Sequence, residues 1–91
     1  MKDVLIELFT LDSGGCAPCT YTKELVENAA NAIGSGVKVV EHKIKDREAV
    51  VLMKERGAKS IPTICINGEI VYESILPSEE ELIEEIKKRM N

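Results

Sequence analysis

Residues 4–10 read VLIELFT, apolar at nearly every position rather than at alternate ones. A strand that shows water one face alternates apolar and polar residues; one covered on both faces does not need to. This stretch therefore predicts a central strand with other elements packed above and below it. Ninety-one residues supply one core and no second one, so a single domain over residues 1–91 is expected. Aromatic residues make up only 3% and Trp is absent, which makes that core aliphatic.

The rest of the chain reads as alternating elements without a linker or repeat. Residues 11–15, LDSGG, form a loop whose paired glycines permit unusual backbone angles. A helix is expected from Cys16, with Pro18 tolerated in its first turn and Leu25, Val26, Ala29, Ala30 and Ile33 at helical spacing. Gly34-Ser35-Gly36 stops it, and Val37–Ile44 reads as the second strand. Asp46 is placed to cap a second helix, Arg47–Arg56, which Gly57 ends. A third strand, Ile61–Ile66, opens with Pro62, and Asn67-Gly68 turns the chain into a fourth, Glu69–Ser74. Ser78 and Glu81 make a capping box for a last helix that ends in Lys and Arg. The order is βαβαββα: two parallel strands joined by a right-handed crossover, then an antiparallel hairpin. This is an α/β fold, a four-stranded mixed sheet flanked by three helices.

A net charge of −4 argues against nucleic-acid binding, which favours clustered basic surface. No apolar run approaches the roughly 18–20 residues of a membrane span, and MKDVLIELFT does not read as a signal peptide. A cytoplasmic protein is expected. In a reducing cytosol a C-x-x-C pair serves redox or metal chemistry more often than structural stapling, and three cysteines do not pair off.

Cys16-Ala17-Pro18-Cys19 sits where strand and loop give way to helix. Thiol–disulfide exchange needs a thiolate, which unpaired N–H groups and the dipole at a helix start favour. Cys16 is thus the expected attacking thiol. Cys19, one helical turn on, is expected to resolve the mixed disulfide, with Pro18 stiffening the turn between them. The metal alternative is a carrier or Fe–S-bridging module using the same thiolates. A tetrahedral zinc site would draw its remaining ligands from Cys65 and His42, which follow no second ligand spacing. Cys65, within Ile64-Cys65-Ile66, reads as a small buried hydrophobe. His42 reads as a hydrogen-bonded structural residue, with a relay to Glu7 as the sharper reading.

The segments IELFT…CAPC, ERGAKSIPTICINGEIV and LPSEEEL together resemble the thioredoxin/glutaredoxin fold over essentially the whole chain. The resemblance is strongest to the small redox-active disulfide proteins of archaea and anaerobic bacteria. It implies a cis proline at Pro62 beside the active disulfide, and a backbone at Ile61 that pairs with an extended substrate segment. It also implies a buried acid under the resolving cysteine as proton acceptor, a role that falls to Glu7. Gly15 stands where thioredoxins usually carry Trp. The stretch YESILPSEEEL lacks the Gly-Gly-Asp-type element with which glutaredoxins hold glutathione. Dithiol exchange with disulfide-containing protein substrates is the activity implied, in a monomer without a bound cofactor, recharged by a separate reductase of the thioredoxin-reductase kind.

Overall fold

The computed structural model describes residues 3–11, 17–73 and 76–90. The LDSGG loop beyond Leu11, Cys16, and Ser74 at the expected end of the fourth strand lie outside the described residues. The elements follow the order β1 (Val4–Thr10), α1 (Ala17–Ile33), β2 (Val37–Lys43), α2 (Arg47–Arg56), β3 (Thr63–Ile66), β4 (Glu69–Glu73) and α3 (Glu79–Met90). The sheet runs β2-β1-β3-β4. β1 pairs parallel with β2 and antiparallel with β3, and β3 pairs antiparallel with β4. β1 is central, as its continuous apolar run requires, and every residue in it except Leu5 is buried.

Alternation along β1 divides the interior into two unlike halves. Val4, Ile6 and Leu8 join Ile64 and Ile66 of β3, Leu25, Val26 and Ala29 of α1, and Leu82, Ile86 and Met90 of α3 in one aliphatic core. Each fully buried Leu or Ile there contributes about 1.5–3 kcal/mol over its exposed state. The opposite face carries Glu7 and Phe9 of β1, and Arg56 of α2 reaches onto it. That second face is polar at its centre.

Turn chemistry follows the sequence closely. Asn67 (φ 53°) and Gly68 (φ 84°) both take positive φ, the backbone of a type I′ hairpin turn. The Asn67 side-chain oxygen also accepts from Leu5 N–H at 2.9 Å, tying the hairpin to β1. Gly57 ends α2 in the left-handed region, its N–H and that of Ala58 closing on Lys54 and Met53 carbonyls. A Cβ on Gly36 would stand 3.0 Å from Met90 Cε and 3.5 Å from Asp3 Oδ1, so the turn before β2 needs glycine for close approach as well as for its φ of 81°. Ser78 Oγ accepts from Glu81 N–H at 3.1 Å, forming the hydroxyl half of the capping box. On the solvated face of α3, Glu85 pairs with Arg89 at 2.7 Å.

Two boundaries and one cap differ from expectation. β3 starts at Thr63, after Pro62, because proline brings no N–H to a ladder. β2 ends at Lys43, where Ile44 N–H turns to Thr10 O. Asp46 occupies the position before α2 with extended backbone, but its side chain makes no capping hydrogen bond. The helix start relies instead on its backbone carbonyl, which accepts from Val50 at 3.1 Å.

Candidate active site

In an open α/β sheet, ligands gather beyond the carboxyl ends of the parallel strands. Here the chain leaves β1 at Thr10 and re-enters the described structure at Ala17, the first residue of α1. Phe9, near that end of β1, pairs with Thr63, the residue directly after Pro62. The fold thus brings the start of α1 and the Ile61-Pro62 segment to one end of the sheet.

Within the first turn of α1, Ala17 and Pro18 are exposed, whereas Cys19 is 0% exposed. The turn is tightened by the buried Thr22 hydroxyl, which donates to the Pro18 carbonyl at 2.8 Å. That bond gives the buried Thr22 hydroxyl a partner one turn back. Cys16 lies outside the described residues, directly before Ala17 in the sequence. The Ile61-Pro62 peptide is cis, as the family resemblance implies, and both residues are half-buried. Tyr21 projects from α1 at 56% exposure near the same end.

Glu7 is a fully integrated buried group, not an acid reaching solvent from a strand end: it is 4% exposed. One oxygen, Oε2, lies 2.9 Å from His42 Nε2, and the other accepts from Arg56 Nε at 3.1 Å. His42 in turn stacks on Phe9, with ring centroids 5.1 Å apart. A carboxylate removed from water is tolerated only with such partners. Three elements meet on it: β1 through Glu7, β2 through His42 and α2 through Arg56. The His42–Glu7 link was legible as an option in the sequence, but Arg56 was not singled out. Its signal was the requirement for a cation opposite a buried acid.

Cys65 stands directly opposite Glu7 in the β1–β3 ladder and shares its face. It is fully buried and free. Burial, helped by the Glu7 carboxylate, pushes its thiol from 9.0 up to about 11. A raised thiol is neutral and unreactive at physiological pH, which fits the small hydrophobe expected from its apolar strand. The linkage has a definite sign: the stability owed to the neutral thiol is whole below pH 9 and falls as pH rises from 9 towards 11, where the unfolded chain has released a proton the folded one keeps. Denaturant midpoints at pH 8 and pH 10 are therefore expected to fall further for the native chain than for Cys65→Ala. Equal falls would remove Cys65 as the source.

No helix among the described residues is long and apolar enough to cross a membrane. No curated protein matches the sequence. Solved structures do. Thioredoxin-2 of a malaria parasite, described as a component of the protein secretion machinery, superposes with a TM-score of 0.74 at 21% identity, over 94% of this chain and 82% of its own. A variant thioredoxin of Halobacterium salinarum gives 0.74 at 25% identity, over 99% and 77%. The oxidised mitochondrial thioredoxin 3 of Saccharomyces cerevisiae gives 0.68 at 21%, over 97% and 80%. The profile of the thioredoxin domain family matches residues 4–87, from the first residue of β1 into the last turns of α3. The chain belongs to the thioredoxin domain family, and its fold is the thioredoxin fold.

Proposed function

We propose that the chain is a protein-disulfide oxidoreductase that works through Cys16 and Cys19. The observation that carries this reading is the burial of Cys19 directly after the exposed Ala17-Pro18 pair, in the first turn of a helix that starts at the same end of the sheet as the half-buried Ile61-Pro62 segment. A resolving thiol has to be shielded from foreign disulfides yet lie one helical turn from its attacking partner. The thioredoxin fold supports the same reaction class.

The Cys16 thiolate attacks one sulfur of a substrate disulfide. A Cys16–substrate disulfide forms, the substrate S–S bond breaks, and the departing thiolate takes up a proton. The Cys19 thiolate, having given up its proton, then attacks the Cys16 sulfur and expels the second substrate thiol. Two electrons pass to the substrate, and the protein is left with a Cys16–Cys19 disulfide. The backbone of Ile61 pairs with an extended substrate segment across the reacting sulfurs, and Glu7 is the buried carboxylate assigned to take the Cys19 proton. A dithiol donor of the thioredoxin-reductase kind restores the reduced form. The setting is the cytoplasm, the working unit a monomer, and no bound cofactor takes part.

The test is a redox titration of metal-free protein in dithiol/disulfide buffers, with alkylation and peptide mapping to identify the oxidised residues. A two-electron transition confined to Cys16 and Cys19, near the potential of about −270 mV of thioredoxin, supports a reductant. A value near the −120 mV typical of strong oxidants reverses the direction of electron flow. Absence of a reversible pair, with zinc or iron retained on purification, replaces this reading with the metal-carrying one.

A further inference from the structure

The segment that presents Ile61 and Pro62 has no regular structure of its own. It runs from the end of α2 at Arg56 to the start of β3 at Thr63, and its order has to come from side chains that reach it. At the α2 end, Arg56 is tied to the buried Glu7, and Ala58 tucks inward at 8% exposure. At the β3 end, the buried Thr63 hydroxyl donates to the Ser60 carbonyl at 2.5 Å. Between them, Glu73 supplies the main anchor. One oxygen of its carboxylate, Oε2, accepts from the Lys59 N–H and also from the Ser60 N–H, the latter at 2.9 Å.

Strand register explains how Glu73 reaches so far back along the sequence. It is the last residue of β4 and stands opposite Thr63 in the β3–β4 ladder. Thr63 follows Pro62 directly, so a side chain at Glu73 needs to extend only past one residue pair to meet the loop. Ser60 consequently has its N–H held by β4 and its C=O by β3. The next residue is Ile61.

We infer that Glu73 is a positioning residue for protein substrates, holding the Lys59–Ser60 backbone so that Ile61 and Pro62 are presented in a fixed register to an extended peptide disulfide. The inference rests on the oxidoreductase reading above and adds the residue that sets its preference for extended chains over small disulfides. The physical reason is preorganisation. Backbone pairing with a substrate strand requires donors and acceptors already in place, and a loop that orders only on binding loses affinity to its own entropy. A small disulfide reaches the Cys16 sulfur without using the Ile61 backbone and is nearly indifferent to that order.

Glu73→Met keeps the length of the side chain and removes the acceptor; Glu73→Gln keeps one acceptor oxygen. Both are assayed with dithiothreitol as reductant, against insulin and against 5,5′-dithiobis(2-nitrobenzoate). Glu73→Met is expected to raise KM for insulin by roughly tenfold, at least five times its effect on the small disulfide. Glu73→Gln should restore most of the loss. Should Glu73→Met fail to fold, Glu73→Gln alone carries the test through a smaller insulin-selective loss of roughly two- to threefold, since a neutral acceptor binds the two N–H groups more weakly. Equal losses on both substrates, or an unchanged KM for insulin, overturn the inference by reducing Glu73 to a structural contact or to none. If the native chain reduces neither disulfide, the oxidoreductase reading itself has failed and takes this inference with it.

Discussion

Cys16→Ser is expected to abolish turnover of disulfide substrates, lowering it by roughly a thousandfold or more, because the nucleophile itself is lost. Cys19→Ser should behave differently. It keeps the attacking thiol and stalls after the first exchange, accumulating a mixed disulfide on Cys16 that mass spectrometry reads as one added substrate. The burial of Cys19 sharpens the contrast, because the sulfur proposed to resolve the intermediate is out of reach of outside thiols while Ala17 and Pro18 ahead of it are exposed. A metal carrier predicts something else for the same pair of variants, a graded weakening of zinc or iron affinity from either one. Turnover that survives in Cys16→Ser would end the assignment of Cys16 as nucleophile.

Glu7→Ala is expected to destabilise the fold by about 2–4 kcal/mol. The side chain is buried and its oxygens serve both His42 and Arg56. Removing it leaves two polar groups facing a void, at the meeting point of β1, β2 and α2. Those partners keep some contact with solvent, their side chains being 22% and 28% exposed, which sets the estimate below that for a fully enclosed pair. Denaturant unfolding measures the loss directly, and a change under 1 kcal/mol would show that water replaces the carboxylate without difficulty. The proton-accepting role has a separate readout. Glu7→Gln should preserve much of the packing while slowing release of the mixed disulfide in Cys16–Cys19 turnover, with a changed pH profile for that step. A variant that loses stability and leaves the profile intact would confine Glu7 to holding the sheet and α2 together.

Much of this architecture was open to reading because the informative signals are local. VLIELFT requires cover on both faces, Asn67-Gly68 dictates a tight hairpin, and Ser78 with Glu81 starts a helix; each signal acts within a few residues of itself. The same locality explains the misjudged ends. A β3 that includes Pro62 starts too early, because a residue without an N–H is more at home just outside a ladder. Asp46 has the right residue type and backbone for a cap, yet its side chain makes no capping bond. In the candidate site, the C-x-x-C spacing pointed to Cys19 and the family resemblance to Ile61, Pro62 and Glu7, but neither pointed to Arg56 or Glu73. Both act across the fold: Arg56 bonds a residue 49 positions away, and Glu73 one 13 positions away. Their roles depend on strand order and register, which no short window contains. The acid on a doubly covered strand was the one available hint that a distant cation had to exist.

The close approach at Gly36 has a practical side. Asp3, before β1, and Met90, at the end of α3, both converge on that one turn. β1 runs from there to the end where Cys19 and Pro62 gather, and α1 brings the chain back. Residues 3 and 90 therefore share the pole remote from the proposed site. A fluorophore, a surface tether or a fused carrier attached beyond either residue stands clear of an incoming substrate. A short peptide joining the two would permit circular permutants whose new ends open elsewhere, leaving the start of α1 and the Ile61-Pro62 segment untouched.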